Sequence, residues 1–130
     1  MKFNLCVLNV IFLSSFALLS CRKNDSPFRA KCKSEMYQIS SRVFSLWRDN
    51  VSLENDDELT LEIIKSYRNN GGIFDQASGR VRGKSILDPA GRPYRIHLKG
   101  GLLTIWSVGL NGIDENGKSD DVTLTTRVRD

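Results

Sequence analysis

The stretch YRIHLKGGLLTIWSV, residues 94–108, decides the fold class. Tyr94, Ile96 and Leu98 alternate with Arg95, His97 and Lys99, the period-two pattern of a strand with one apolar and one solvated face. Gly100-Gly101 follows, and two glycines suit the positive backbone dihedrals of a two-residue hairpin turn. Leu102 to Val108 is apolar on nearly both faces, which predicts a central, buried strand. A last strand is expected where Val122, Leu124, Thr126 and Val128 alternate with Thr123, Thr125, Arg127 and Arg129. Successive strands of this kind make an antiparallel meander.

Upstream the period changes to that of a helix. From Ser34 to Asp49, Met36, Ile39, Val43 and Leu46 recur at three- and four-residue steps, with Phe44 and Trp47 widening the stripe. Ser34 is the expected cap, with Glu35 in the first turn. Asn55-Asp56-Asp57-Glu58 reads as a capping box with acids at the positive helix end. A second helix follows to about Arg68, with Leu59, Ile63 and Tyr67 on one side and Leu61 and Ile64 broadening the stripe. Asn69-Asn70-Gly71-Gly72 is its stop signal. Residues 72–92 are glycine-rich and basic without a clear period. They are expected as a long loop with one short strand near Val81, ending in the turn Asp88-Pro89-Ala90-Gly91. Helices first and strands after predict the α+β class: N-terminal helices packed on a small antiparallel sheet of three to four strands. Residues 34–130 form one domain with no internal repeat.

The first 21 residues are of another kind. MKFNLCVLNVIFLSSFALLSC has one basic residue, an uncharged apolar run and a cysteine at its end, the pattern of an export signal. Leu18-Leu19-Ser20-Cys21 resembles the lipobox of bacterial lipoproteins, in which the cysteine is acylated and becomes the mature N-terminus. This implies a signal peptide over residues 1–20, lipid on Cys21 and membrane attachment through that lipid. Arg22, rather than Asp, after the cysteine points by analogy to the outer membrane facing the periplasm. CRKNDSPFRAKCK, residues 21–33, is polar, basic and broken by Pro27, and is expected as a flexible tether. With Cys21 blocked by lipid, Cys32 has no partner for an intramolecular disulfide and is expected as a lone thiol.

Removing Lys2 with the leader leaves 18 Lys and Arg against 15 Asp and Glu, a net charge of +3. Six cations, Arg80, Arg82, Lys84, Arg92, Arg95 and Lys99, fall within twenty residues where Asp88 is the lone acid. They are a candidate binding surface for an anionic polymer or lipid. An exported chain without aromatic–basic stacking is not expected to bind nucleic acid. Catalytic signatures are also missing. His97 lies between Arg95 and Lys99 on the polar face of its strand, where cationic neighbours disfavour a protonated base. No Ser or Cys has a supporting base in a recognisable motif, and no phosphate loop or zinc pattern occurs. The expectation is a non-enzymatic protein without a small-molecule substrate.

The loop WSVGLNGIDENGKSDD, residues 106–121, concentrates acids in this basic chain: Asp114, Glu115, Asp120 and Asp121. Calcium takes carboxylate and carbonyl oxygens on a chain able to wrap around it. The loop is not an EF-hand, because counting from Asp114 the fifth and sixth positions are Lys118 and Ser119. A polar loop turned by its Asn-Gly pairs is the alternative.

LDPAGRPY (87–94), IWSVGLNG (105–112) and SDDV (119–122), in that order, resemble the C-terminal domain of the major pseudopilin of type II secretion systems. Tyr67-Arg68-Asn69-Asn70-Gly71-Gly72-Ile73-Phe74 is similar to the end of that family's long helix. The resemblance covers roughly residues 58–124 and implies a pilin-like head whose loop binds calcium. It places ligands at Asn111, Asp120 and Asp121, with carbonyls around Val108 and Leu110; Asn111 stands where the family carries Asp, and Asp114 is the candidate that compensates. The family's leader, cut after glycine and followed by Phe and a Glu at the fifth position, has no counterpart: no glycine precedes Gly71 and no acid precedes Asp25. The implied role is protein–protein contact or scaffolding in the cell envelope, linked to type II secretion, without assembly into a pilus.

Overall fold

The structure, a computed structural model, describes residues 26–49, 51, 53 and 55–128, apart from the side chains of residues 69 and 76. The expected signal peptide, residues 1–20, and Cys21 lie outside the described residues. So does residue 129, at the end of the expected last strand.

Helix α1, Pro27–Arg48, begins seven residues before the expected start. Ser26 is its cap: Ser26 Oγ accepts from Arg29 N at 3.2 Å. Pro27 takes the first helical position, where a missing N–H costs nothing and the fixed φ is already helical. Residues 27–33 are therefore helix rather than tether. Ser34 is an exposed position within the helix. The buried stripe starts one turn earlier as well: Cys32, Met36, Ile39 and Val43 are fully buried. Phe44 and Trp47 do not widen it. They face solvent, 49 % and 40 % exposed, because the small sheet covers only one line of the helix. The two rings pack edge to face, 6.2 Å apart.

Helix α2, Asp56–Asn70, starts as its sequence predicts: Asn55 Oδ1 accepts from Glu58 N at 2.8 Å, with Asp56, Asp57 and Glu58 in the first turn. It ends at Gly71, whose φ of 68° is cheap only for glycine. Leu59, Ile63, Ile64 and Tyr67 are buried against the core that α1 shares.

Residues 72–92 carry more order than a loop. A 3₁₀ turn, Gln76–Ser78, leads into a two-stranded hairpin of β1 (Val81–Arg82) and β2 (Ser85–Ile86). Leu87 pairs with Pro93 beyond it. Phe74 anchors the segment, buried at 5.2 Å from the Tyr67 ring. Pairs this short leave no readable period, so the sequence shows only their turns.

Strands β3 (Arg95–Lys99), β4 (Leu102–Ser107) and β5 (Val122–Arg127) form an antiparallel sheet in the order β3-β4-β5. Gly100 and Gly101, with φ of 58° and 75°, make the two-residue turn. The fold is α+β, two helices with small antiparallel sheets of two and three strands. β4 is central but buried on one face only. Leu103, Ile105 and Ser107 point into the core, whereas Leu102 is 44 % exposed and Thr104 and Trp106 are half-buried. Both helices sit on the same side, so the other face stays open.

A carboxylate lies in this core between α1 and the sheets. Glu35 is 2 % exposed. Its Oε2 accepts from Arg80 Nη2 at 2.6 Å and from the Tyr94 hydroxyl at 2.7 Å. Arg80 also donates to the Leu87 carbonyl through Nε (3.2 Å) and Nη2 (2.9 Å). Cys32 is not a tether thiol. It is a free, fully buried residue beside Tyr94 and Ser107, and burial raises its pKa, which keeps it an inert thiol.

Removing Arg80 strands the Glu35 carboxylate. Arg80→Ala should cost about 3 kcal/mol in urea unfolding, the low end for a broken buried pair because Arg80 is itself partly exposed. Adding Glu35→Gln to that variant should restore part of the loss. A second outcome concerns alkali. Burial first, and then the hydrogen bond to Glu35, push the Tyr94 phenol well above its ordinary 10.0. The unfolded chain therefore releases this proton first. Stability is fully present below about pH 10 and falls as pH rises past it. Thermal melts from pH 8 to 11 should show that fall, with a shallower slope in Tyr94→Phe.

Candidate metal centre

The loop joining β4 to β5, residues 108–121, is tied down residue by residue. At its base Ser107 Oγ donates to the buried Asp88 Oδ2 at 2.6 Å and accepts from Gly109 N at 3.2 Å. Asp88 Oδ1 in turn accepts from Ala90 N and Arg92 N at 2.9 and 3.0 Å, which forms the expected turn. That turn aims Arg92 at the loop: Nη1 donates to the carbonyls of Gly109 (2.7 Å) and Leu110 (3.1 Å).

The acids close the loop from the other end. Asp120 Oδ2 accepts from Asn111 N at 3.0 Å. Asp121 Oδ2 accepts from Glu115 N (3.0 Å) and Gly117 N (2.8 Å). Asn116 and Ser119 hold φ of 57° and 56°, a left-handed conformation that costs a residue with a side chain roughly 1–2 kcal/mol. Such strain persists where surrounding bonds over-determine the backbone.

Glu115, Asp120 and Asp121 converge, each able to place one carboxylate oxygen so that all lie within 4.8 Å of one another. On two of these acids an oxygen, Oδ1 of Asp120 and Oδ1 of Asp121, is buried without a hydrogen-bond partner. A buried carboxylate oxygen left unpaired carries a desolvation penalty, and among the described residues no ion pair joins these acids to a cation. Three hard, anionic donors with two oxygens unspent fit a calcium-type ion.

The structure redistributes the expected ligands. Asp120 and Asp121 belong to the cluster. Asp114 does not: it is exposed, and its Oδ1 accepts from Asn116 N at 3.0 Å. Asn111 is exposed and spends its Oδ1 on Ile113 N at 2.8 Å, while its Nδ2 donates to Glu115 Oε2 at 3.3 Å. The Leu110 carbonyl already faces the Arg92 guanidinium, and Val108 is buried at the loop base. Glu115 is the acid that sequence reasoning passed over. Its neighbour Asp114 stands one residue nearer Asn111, and only the curvature of the loop chooses between them.

The six candidate cations do not make one surface. Arg80 is turned inward to Glu35, and Arg92 is spent on the loop carbonyls. Arg82 and Lys84 are exposed at the β1–β2 hairpin. Arg95 and Lys99 lie on the open face of the sheet, where the register sets Arg95 opposite Trp106 and lines Lys99, Leu102 and Arg127 across three strands. His97 is exposed there, as its sequence position predicts. Its ring lies 5.0 Å from Trp106, and Nδ1 contacts Asp56 Oδ2 at the start of α2, an acid partner the sequence did not suggest. A hollow of about 630 Å³ lies between the end of α1 and the β3–β4 turn, with Arg127 as its one ionisable lining residue.

Gly109 tests how tightly the loop is closed. A Cβ there would come within 2.5 Å of the Asp120 carbonyl oxygen, at a φ of 69°. Gly91 also has positive φ, 82°, but open space around it. Gly91→Ala should cost about 1 kcal/mol for its backbone conformation alone. Gly109→Ala should cost about 3 kcal/mol or more in the same denaturant titration, because Asp120 must move.

Comparison with protein-family models, with curated proteins and with solved structures finds no match to this chain, so its own residues carry the functional reading.

Proposed function

We propose that this chain is an exported, lipid-anchored protein whose pseudopilin-like α+β domain is closed by calcium and makes protein contacts in the cell envelope, with type II secretion as its setting and no catalytic role. The observation that carries the calcium reading is the pair of buried, unpartnered oxygens on Asp120 and Asp121 beside Glu115. Calcium would supply the positive charge those oxygens lack. The protein's own part is to bring the three acids together: Asp121 holds the backbone of Glu115 and Gly117, and Asp120 holds that of Asn111. The result is a structural tie between β4 and β5. The anchor rests on Leu18-Leu19-Ser20-Cys21 and the apolar run before it, and the outer membrane facing the periplasm is the proposed location.

A second reading has its own support. The open sheet face carries Arg95 opposite Trp106 at one end and Lys99 and Arg127 on either side of Leu102 at the other. Cations spread along one open face suit an anionic polymer, bound in a way that fades with salt.

For the first reading, calcium should raise the melting temperature and a chelator should reverse it. At a hundredfold excess over Kd the linkage is about 2.7 kcal/mol. Asp121→Asn should abolish the response. A melting temperature indifferent to both calcium and chelator would sink the metal reading. Mass spectrometry of the mature chain should find acylated Cys21 at its N-terminus, and an unmodified chain starting elsewhere would remove the anchor.

A further inference from the structure

Leu110 and Ile113 are 61 % and 62 % exposed, the two most exposed large apolar side chains among the described residues. Leaving both in water forgoes the stabilisation that burial would give them. They are not exposed through slackness. Arg92 grips the carbonyls of Gly109 and Leu110, Asp120 takes Asn111 N, and Asn111 Oδ1 takes Ile113 N. Gly112, between them, lies so close to the Arg92 guanidinium that a Cβ would approach its Cζ to 2.6 Å. The loop backbone is built to hold two branched aliphatic side chains outward.

Their position in the molecule says what they face. Leu110 and Asp120 line a hollow of about 470 Å³ together with Ser26, Phe28 and Arg29, so the loop tip lies beside the start of α1. Cys21 and the apolar run Phe3–Ser20 precede Ser26 directly. Five residues reach at most about 17 Å, so whatever holds Cys21 holds this end of the domain close to it.

We propose that the Leu110–Ile113 tip is a membrane-contact element that inserts into the lipid interface to which the N-terminal segment is attached. This rests on the membrane-anchor reading above. The contact is apolar rather than ionic. Around the tip the acids Asp114, Glu115, Asp120 and Asp121 are interleaved with Arg92, Arg29 and Lys118, and neither sign forms a continuous patch. The aromatic pair Phe44 and Trp47 is remote: 21 helical residues separate Ser26 from Trp47, or about 30 Å. Trp47 therefore serves as an internal reference that stays in water.

The test uses the full chain reconstituted into vesicles of brominated phosphatidylcholine, which quenches tryptophan at the lipid interface. Flotation of the vesicles measures attachment separately. Ile113→Trp adds one reporter to the parent's Trp47 and Trp106, and Leu110→Trp is an independent second reporter at an equally exposed position. The added fluorescence should be quenched about twofold relative to unbrominated lipid, as for a side chain buried 5–10 Å into the interface. It should remain so at 1 M salt, where the Debye length is about 3 Å. A chain that floats while both reporters stay unquenched overturns the tip contact and leaves the anchor standing. Quenching that disappears with salt overturns the apolar contact in favour of a basic surface. A chain that does not float overturns the anchor and the tip contact together.

Discussion

The carboxylate of Glu35 is the constraint around which the rest of the domain is arranged. It is the lone acid of α1, and the helix turns it into the core. A buried carboxylate without donors is too costly to keep, so the fold brings donors to it from distant segments. Arg80 comes from the approach to β1, and Tyr94 from the residue before β3. Those two contacts, together with the buried side chains of Phe74, Ile86 and Leu87, fix where the segment 72–94 lies against α1. Replacing such a pair by apolar side chains is often neutral for stability. What Glu35 contributes is position: α1, the small hairpin and the start of the large sheet meet at one atom.

The same bonds reach the candidate metal centre. Arg80 holds the Leu87 carbonyl, and Asp88 follows in sequence. Asp88 then binds Ser107 at the end of β4 and shapes the turn that aims Arg92 at Gly109 and Leu110. Beyond its buried base at Val108, the acidic loop is thus positioned from the core through hydrogen-bonded side chains. This explains why a loop rich in polar and small residues has a definite path.

Much of this was legible where a period or a cap was long enough to read. The alternation in β3 and β5, the Gly100-Gly101 turn and the Asn55 cap are each local signals, and each is met in the structure. The start of α1 is not, because Pro27 reads as a breaker although it stands at the one helical position that welcomes it. Cys32, four residues before Met36, belongs to the buried stripe, but its sulfur drew a chemical reading instead. The open face of β4 was hidden because Leu102 and Trp106 are apolar whichever way they point. In the site, Asp120 and Asp121 were readable as acids of a turning loop. Glu115 and Arg92 were not: one depends on left-handed residues at 116 and 119, the other on a contact seventeen residues away.

Asn111 looked like the weak point of a calcium loop, since it removes a charge where the resembling family carries one. The geometry gives the substitution a different sense. Its side-chain oxygen is committed to Ile113 N, and its amide reaches Glu115 Oε2. A carboxylate at 111 would repel Glu115 at that distance, whereas an amide donates to it. In the proposed centre, then, Glu115 supplies the charge that position 111 lacks, and Asn111 orients it. Arg92 completes the division of labour. It takes the carbonyls of Gly109 and Leu110, so in the proposed centre the backbone oxygens go to a guanidinium and the carboxylates are left for the calcium.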